Sequence, residues 1–351
     1  MKSVITITHP CEVFCSFTMS AATKLHKTSW CALRQLQQYR TKANFSASSS
    51  SIAKRNELFN QEQKRQRDAV GRIDKIEVRY LGLPEDVTLV MNANISTPYN
   101  CAQHLSEGHK RRSALALIDG SVPWDMHRPL QESCTLQLLH FQVSEPHVVN
   151  KAFWRTCSFM LGAALNRAFK PEANLQLHSF PGPNIKSGSF VHDIVLQTRN
   201  WQPTKEEMRT VSAEMVKLAL EDHEIERLDV TQDIAQEIFK DSKYKSEQLP
   251  SIAQQTHGRV TLYRLGDHID ISRGPMVGAT RFLGKCTISA AHKVADEGET
   301  DGFYRIQGVA LPSGIQLNHV AFGVLEERSK KLNPARLPNE PFEEHQQLQL
   351  S

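Results

Sequence analysis

A cysteine within an apolar stretch is the first side chain of this sequence whose chemistry could matter. Cys157 lies in residues 153–169, which contain no proline and whose apolar side chains recur at helical spacing. A thiol becomes a nucleophile when a base or cation beside it lowers its pKa. The side chains two residues away on either side, Arg155 and Phe159, point to other parts of a helix surface. The spacing therefore predicts a small buried thiol and no catalytic cysteine.

Metal-binding side chains are present, but no group of them has ligand spacing. None of the seven cysteines forms a C-x-x-C pair, and four histidines share no spacing with one another: His178, His192, His257 and His268. We interpret these histidines as surface or hydrogen-bonded side chains. The sequence predicts no metal site and no cofactor. A chain of 351 residues with this cysteine usage fits a reducing compartment better than a disulfide framework.

Charge is distributed unevenly along the chain. Residues 1–50 carry six Lys and Arg and one acid, whereas the remaining 301 residues hold 36 basic and 37 acidic side chains. The body of the protein is therefore close to neutral, so contacts with nucleic acid must come from local basic patches. No run approaches the ~18 consecutive apolar residues that span a bilayer, so no membrane partner is predicted.

The N-terminal segment, residues 1–50, has the composition of a mitochondrial transit peptide. It is basic, rich in Ser, Thr and Ala, and nearly free of acids; a disordered basic tail is the alternative. Residues 51–74 follow as a charged helical extension. Its cations are candidates to contact RNA or a partner protein, although a solvated linker helix would have the same composition: Lys54, Arg55, Lys64, Arg65 and Arg67.

Residues 75–143 alternate short strands with one helix. Strands are predicted at 76–80, 89–91, 114–118 and 135–141, and a short helix follows Thr97 and Pro98. This order resembles the TGS domain, a ubiquitin-like β-grasp module at the N-terminus of threonyl-tRNA synthetases. TGS modules contact RNA or proteins, so the resemblance implies such contact through the patch His109, Lys110, Arg111 and Arg112. A solvated loop would leave the same pattern.

Residues 150–313 form a second predicted domain, in which helices at 153–169, 204–220 and 231–239 alternate with short strands. Thr204 and Glu207 have the spacing of a capping box. Several motifs resemble the editing domain that threonyl- and alanyl-tRNA synthetases share: the stretches 156–162, 188–194, 235–244, 269–275 and 304–308. The predicted fold class is α+β, a TGS-like β-grasp domain followed by a synthetase editing-like domain.

The resemblance implies an editing pocket whose residues this chain has lost. The family has a His-x-x-x-His pair on the opening helix and a Cys-x-x-x-His pair on the return strand. These positions fall on Arg155 and Phe159 and on Ser272 and Met276. None of the four is a good replacement, since arginine is always cationic, phenylalanine has no lone pair, and serine and methionine are poor ligands. We predict a packed domain without hydrolytic chemistry, with Arg155 free to contact a partner.

Residues 314–351 are predicted to form a C-terminal extension. A strand and a helix with a basic end are expected within 315–332, followed by a disordered tail. Lys330 and Lys331 in this helix end are further candidates to contact RNA or a partner. The aminoacylating and anticodon-binding domains of a synthetase are not expected in a chain of this length.

This combination of segments resembles a family of mitochondrial large-subunit ribosomal proteins, in stretches that include 57–60, 94–99, 101–106 and 123–126. The resemblance implies a structural, non-enzymatic role. Its implied partners are mitochondrial ribosomal RNA and neighbouring large-subunit proteins, with no small-molecule substrate. A free-standing mitochondrial tRNA-binding or tRNA-editing factor is the alternative.

Overall fold

The computed structural model describes residues 50–337, apart from residues 84, 144–145, 199 and 298–300. The predicted transit peptide, except for its last residue, and the tail after residue 337 lie outside this part of the chain. Within the described part, a first helix (α1) covers residues 50–68. No helix there is both long enough and apolar enough to cross a bilayer.

The next segment folds as a five-stranded mixed sheet with two short helices. The sheet has the order β2-β1-β5-β3-β4, in which β1 runs parallel to β5 and the other neighbours are antiparallel. Successive residues of β1 are alternately exposed and buried, and since successive side chains of a strand point to opposite faces, one face of β1 is buried. The elements are β1 (Lys75–Tyr80), β2 (Val87–Asn92), α2 (Pro98–Leu105), α3 (Glu107–Arg112), β3 (Leu115–Ile118), β4 (Val122–Trp124) and β5 (Cys134–Leu139).

The following segment contains two antiparallel sheets with helices packed on them. One sheet has the order β11-β12-β7-β6 and the other β10-β9-β8. The elements are α4 (His147–Ala168), β6 (Gln176–Ser179), β7 (Phe190–Leu196), α5 (Lys205–Leu220), β8 (Glu226–Thr231), α6 (Gln232–Ile238), α7 (Lys243–Gln255), β9 (Arg259–Leu265), β10 (His268–Ile271), β11 (Leu283–Glu297), β12 (Asp301–Pro312) and α8 (His319–Ser329).

Helix α4 is the central element of this segment. Every residue from Thr156 to Leu165 is buried, so the helix is covered on all sides, as expected for a helix inside a core. It packs against α5 on one side and β7 on another. Gly162 permits the second contact, because a Cβ at this position would lie 2.6 Å from the His192 ring.

Helix α1 belongs to the same fold and is not a solvated linker. Phe59 is fully buried in a core formed by the three-stranded sheet, α6 and α7. The guanidinium of Arg264 lies 4.2 Å from the centroid of the Phe59 ring. Gln63 donates to Glu226, and Gln66 donates to the Asp229 carbonyl, which fixes the second half of α1 along β8.

The five-stranded sheet and the helix α4 core meet at Asp125, just after β4. Its carboxylate accepts hydrogen bonds from Arg227 (2.9 Å), the Tyr263 hydroxyl (2.8 Å) and the backbone N–H of Met276 (2.8 Å). Nearby, the backbone N–H of Gly278 donates a hydrogen bond to the Ala114 carbonyl at 2.9 Å. The segment that follows β10 is therefore held between the two parts of the chain.

Most predicted elements are present, but two elements were missed, one predicted strand is absent and one basic patch is helical. The capping box of α5 is confirmed, with Thr204 and Glu207 bonded in both directions. Helix α7 and the long strand β12 were not predicted, and residues 315–318 form no strand. The patch at residues 109–112 is part of helix α3 and not a loop.

Candidate functional site

Helix α4 and the segment after β10 carry the four positions at which the sequence predicts a lost pocket. Arg155 is half-buried, and its Nη1 donates to the Pro275 carbonyl at 3.1 Å. Burial lowers the pKa of Arg155, and the charge of Arg273 adds to this effect while Tyr263 and Asp125 oppose it. Arg155 therefore ties α4 to the return segment, and the expectation that it contacts a partner stays a prediction.

Phe159 and Met276 are packing residues. Phe159 is fully buried, with its ring centroid 5.1 Å from that of His268 and 6.4 Å from that of Tyr263. Met276 is also buried. Ser272 lies partly exposed at the end of β10, where its hydroxyl accepts a long hydrogen bond from the Gly274 N–H. None of these side chains can activate a water molecule or bind a metal ion.

Cys157 is an inert thiol, as its spacing predicted. It is fully buried, and burial raises its pKa well above the ordinary value. Cys286 lies close enough to raise that pKa further, and burial raises the pKa of Cys286 itself to about 12. Since the thiolate is the reactive form, neither cysteine has the environment of a nucleophile.

Of the four histidines interpreted above as surface or hydrogen-bonded, His178 and His192 are buried and His268 is partly buried. Burial lowers the pKa of each to about 4, so all are neutral at physiological pH: His178, His192 and His268. The Nδ1–H of His192 donates to the Ser158 carbonyl at 2.9 Å, since a carbonyl can only accept. Across the described residues, no cluster of His, Cys, Asp or Glu could hold a metal ion.

A cleft of about 470 Å³ opens beside Arg155, between α4, α7 and the loop after β6. Four cationic side chains line it: Lys151, Arg155, Lys245 and Arg273. Phe180 and the isoleucines of α7 and β10 supply apolar wall, and no acidic residue belongs to the lining. The prediction of a packed pocket is therefore incomplete, because an open cationic cleft remains next to the filled positions.

A buried ion pair that sequence reasoning missed lies at the edge of this cleft. Lys245 Nζ is 2.5 Å from Asp270 Oδ1, and both side chains are almost fully buried. Burial opposes the charge of Asp270, but Lys245, together with His192 and His268, more than offsets this effect, so the pKa of Asp270 is lowered. The available signal was an acid between two isoleucines, Ile269 and Ile271, in a predicted strand.

The sequence had predicted that His109 contacts RNA or a partner, but this side chain does not lie at the surface. It is buried, and its ring contacts the Ser106 hydroxyl (2.8 Å), the Tyr80 hydroxyl (3.1 Å) and the Leu83 carbonyl (3.2 Å). These contacts attach α3 to the end of β1. The residue therefore positions the neighbouring cations and does not itself reach a partner.

The remaining cations of α3 do face solvent. Arg111 and Arg112 are exposed, and Lys110 is partly exposed. Glu107 pairs with Lys110 at 3.4 Å and with Arg111 at 3.1 Å. Surface pairs of this kind contribute little to stability and exchange readily for other partners. The helix thus presents a small exposed basic surface, although its charge is partly offset.

The cations of α1 divide into internal and exposed residues. Arg55 is partly buried near Asp241 and Asp270, and burial lowers its pKa, which does not favour the predicted contact role. Lys54 pairs with Glu237 of α6 at 3.3 Å, and Arg65 pairs with Glu62 at 2.6 Å. Two exposed cations of α1 form no ion pair within the described chain: Lys64 and Arg67.

Lys330 and Lys331 lie just after α8 and are exposed. Their backbone carbonyls accept hydrogen bonds from His292 and from Gln307 of β12, which fixes this segment on the four-stranded sheet. Lys330 also pairs with Glu327. The predicted contact residues therefore lie on three separate surfaces: α1, α3 and the end of α8.

Comparison with known proteins gives a match over nearly the whole chain as well as partial ones. The chain is 89% identical over 333 residues, 95% of its length, to the whole of a Drosophila melanogaster protein named large ribosomal subunit protein mL39. It is 29% identical over 238 residues to a probable cytoplasmic threonine–tRNA ligase of Dictyostelium discoideum, and 30% identical over 222 residues to the human cytoplasmic enzyme. These matches cover 31% and 28% of the ligases. No protein-family profile matches the chain.

Proposed function

The chain belongs to the family of large ribosomal subunit protein mL39, and from this premise we propose how it serves the mitochondrial ribosome. It is a structural constituent of the mitochondrial large subunit and not an enzyme. The observation that carries this conclusion is the 89% identity, which extends over the whole length of the relative. Its partners are ribosomal RNA and neighbouring ribosomal proteins of the mitochondrial matrix.

The geometry of α4 supports the non-enzymatic role. A free-standing editing factor would need groups that activate water, whereas Phe159 and Met276 are buried packing residues and Arg155 is bonded to a carbonyl. The likeness to threonine–tRNA ligases covers only about a third of those enzymes. We infer that residues 150–313 are an editing-like domain in which catalytic positions have become packing positions.

We propose that residues 75–143 are a TGS-like β-grasp domain. The strand order β2-β1-β5-β3-β4 with parallel central strands supports this, as does helix α2 packed on one sheet face. Residues 51–74 then add helix α1 to the second domain, and residues 314–337 add α8. Residues 1–50 remain our proposal for a transit peptide, and loss of mitochondrial import on their deletion would test it.

The exposed cations of α3 are the surface we propose for ribosomal RNA. Arg111 and Arg112 project from a short helix whose position is fixed by the buried His109, so their charges are held in place. Lys64 and Arg67 on α1 and Lys331 after α8 are secondary candidates. Because the rest of the chain is close to neutral, RNA contact depends on such local patches.

Sedimentation tests the ribosomal assignment. Tagged full-length protein, expressed in cells, should migrate with the mitochondrial large subunit on a sucrose gradient and remain with it at high salt. A slow, free peak would contradict the assignment. Deacylation of seryl-tRNA(Thr) by the purified chain would instead favour the editing factor.

Charge reversal tests the α3 surface. The triple variant K110E/R111E/R112E should reduce incorporation into the large subunit at least about tenfold at low salt, with a smaller difference at high salt. R209E is a matched control, because Arg209 is an exposed helical arginine paired with Glu206, much as Arg111 pairs with Glu107. Equal incorporation of the triple variant and the control would remove α3 from the RNA interface.

A further inference from the structure

We propose that the cleft beside Arg155 is an anion site that holds the phosphate group of a nucleotide-sized ligand. This goes beyond the structural role, because a ribosomal scaffold does not require an internal ligand site. The ligand is bound and not converted, since the cleft holds no carboxylate or accessible imidazole that could act as a base.

Unbalanced charge is the first argument for this site. Of the four cations in the lining, only Lys245 has a carboxylate within ion-pair distance among the described residues, and that carboxylate, Asp270, is buried behind it. Arg273 donates a hydrogen bond to the neutral side chain of Gln255. Three positive charges thus line one cleft with no carboxylate of the described chain within ion-pair distance, and such an arrangement attracts an anion.

Arg155 supplies the second argument. It is half-buried, and one of its five N–H groups is used by the Pro275 carbonyl, a neutral partner. A guanidinium removed from water without an anionic partner carries a desolvation penalty. A bound phosphate would offset that penalty, because the planar guanidinium can donate two parallel N–H bonds to two phosphate oxygens.

The rest of the lining fits a nucleotide better than a bare ion. The cleft volume of about 470 Å³ is within the range of small-molecule sites, about 300–1,000 Å³. Phe180, Ile252 and Ile271 form apolar wall against which a base or ribose could pack, and Ser272 adds a partly exposed hydroxyl. An inorganic phosphate would leave this apolar wall unused.

Binding to the purified full-length chain tests the proposal, with AMP, adenosine and inorganic phosphate as probes in isothermal titration calorimetry. We expect AMP to bind at least tenfold more tightly than either adenosine or phosphate, and more weakly as salt rises. Similar affinities for AMP and adenosine, or no binding of AMP at millimolar concentration, would overturn the proposal.

Variants locate the site. Arg155→Met should weaken AMP binding at least tenfold, and Lys151→Gln about threefold, whereas Arg209→Met, far along the chain on α5, should not change it. If Arg155→Met fails to fold, Lys151→Gln still decides, since Lys151 is a partly exposed residue of α4 with no ion pair in the described chain. Unchanged affinity in Lys151→Gln and in any folded Arg155 variant would place AMP elsewhere and reject the cleft.

A further probe identifies the source of the phosphate. The dinucleotide pApA carries the same 5′-phosphate as AMP on a short RNA. Tighter binding of pApA than of AMP would assign the cleft to an RNA end, and tighter binding of AMP would assign it to a free nucleotide; both results uphold the anion site.

Discussion

Removing the Asp125 carboxylate should be one of the most destabilising single changes in this protein. Asp125 is 3% exposed and accepts hydrogen bonds from Arg227, Tyr263 and the Met276 N–H. Asp125→Ala leaves two neutral donors and a buried guanidinium without this partner. Breaking a buried pair costs about 3–5 kcal/mol. Because Asp229 still pairs with Arg227 at 3.1 Å, we expect the lower end, about 3 kcal/mol.

Asp125→Asn separates charge from hydrogen bonding. The amide oxygen can still accept from Tyr263 and Met276, but the amide nitrogen is a donor facing the donor Arg227. We therefore expect a smaller loss of about 2 kcal/mol, the value of one charged hydrogen bond. The loss should be measured as the free energy of unfolding in urea, followed by circular dichroism.

The control for this pair of variants is Asp86→Asn. Asp86 is half-exposed and pairs with Arg79 at 3.5 Å, so its loss should change stability by less than about 1 kcal/mol. Equal effects of Asp125→Asn and Asp86→Asn would refute the role of the Asp125 contacts. A cost of Asp125→Ala below that of Asp125→Asn would refute the argument from unpaired donors.

Two further predictions concern backbone conformation and pH. Gly274→Ala should lower the free energy of unfolding by more than about 2 kcal/mol. The left-handed backbone at φ +67° accounts for up to about 2 kcal/mol of this. The rest comes from a clash, because a Cβ would lie 1.8 Å from the Tyr263 hydroxyl. Gly314→Ala, at φ +85° with nothing near the added Cβ, carries only the strain and should cost less; equal melting temperatures would contradict the clash. Three histidines have a folded pKa of about 4: His178, His192 and His268. They stay neutral in the folded protein, whereas in the unfolded chain they take up protons below about pH 6.5. The free energy of unfolding should therefore fall from pH 7 to pH 5 by up to about 2 kcal/mol for each histidine. An unfolding free energy that is flat over this range, or as steep in His178→Gln as in the parent, would contradict this reasoning.

The sequence pattern was sufficient to predict the elements whose apolar residues follow a single helical or strand period. Helix α5 has a capping box at Thr204 and an apolar stripe, and both are local signals. Strand β12 lacks a period because both faces are covered, with Arg305 and Gln307 buried among apolar residues. Helix α7 contains Pro250 in its interior, a residue that normally ends a helix. Tertiary packing stabilises these two elements, and contacts between distant residues cannot be detected in a short window of sequence.

The candidate site was less accessible to sequence reasoning, since its contacts join distant residues. Arg155, Lys245 and Arg273 line one cleft although more than a hundred residues separate the first from the last. His109 reads as one cation of a basic run, yet its ring is bonded to Tyr80, 29 residues earlier. Residue type alone was informative where it excluded chemistry, as it did for Phe159.

Arg155 and the segment after β10 connect α4 to the five-stranded sheet. Arg155 of α4 donates to the Pro275 carbonyl of the return segment at 3.1 Å, at the side of the open cleft. The next residue, Met276, is bonded through its N–H to Asp125 of the first unit. These contacts form a continuous path from α4 to the five-stranded sheet. On our proposal that Arg155 occupies a former editing position, its side chain now holds α4 to the return segment, and such a tie suits a protein that keeps one shape within a large assembly.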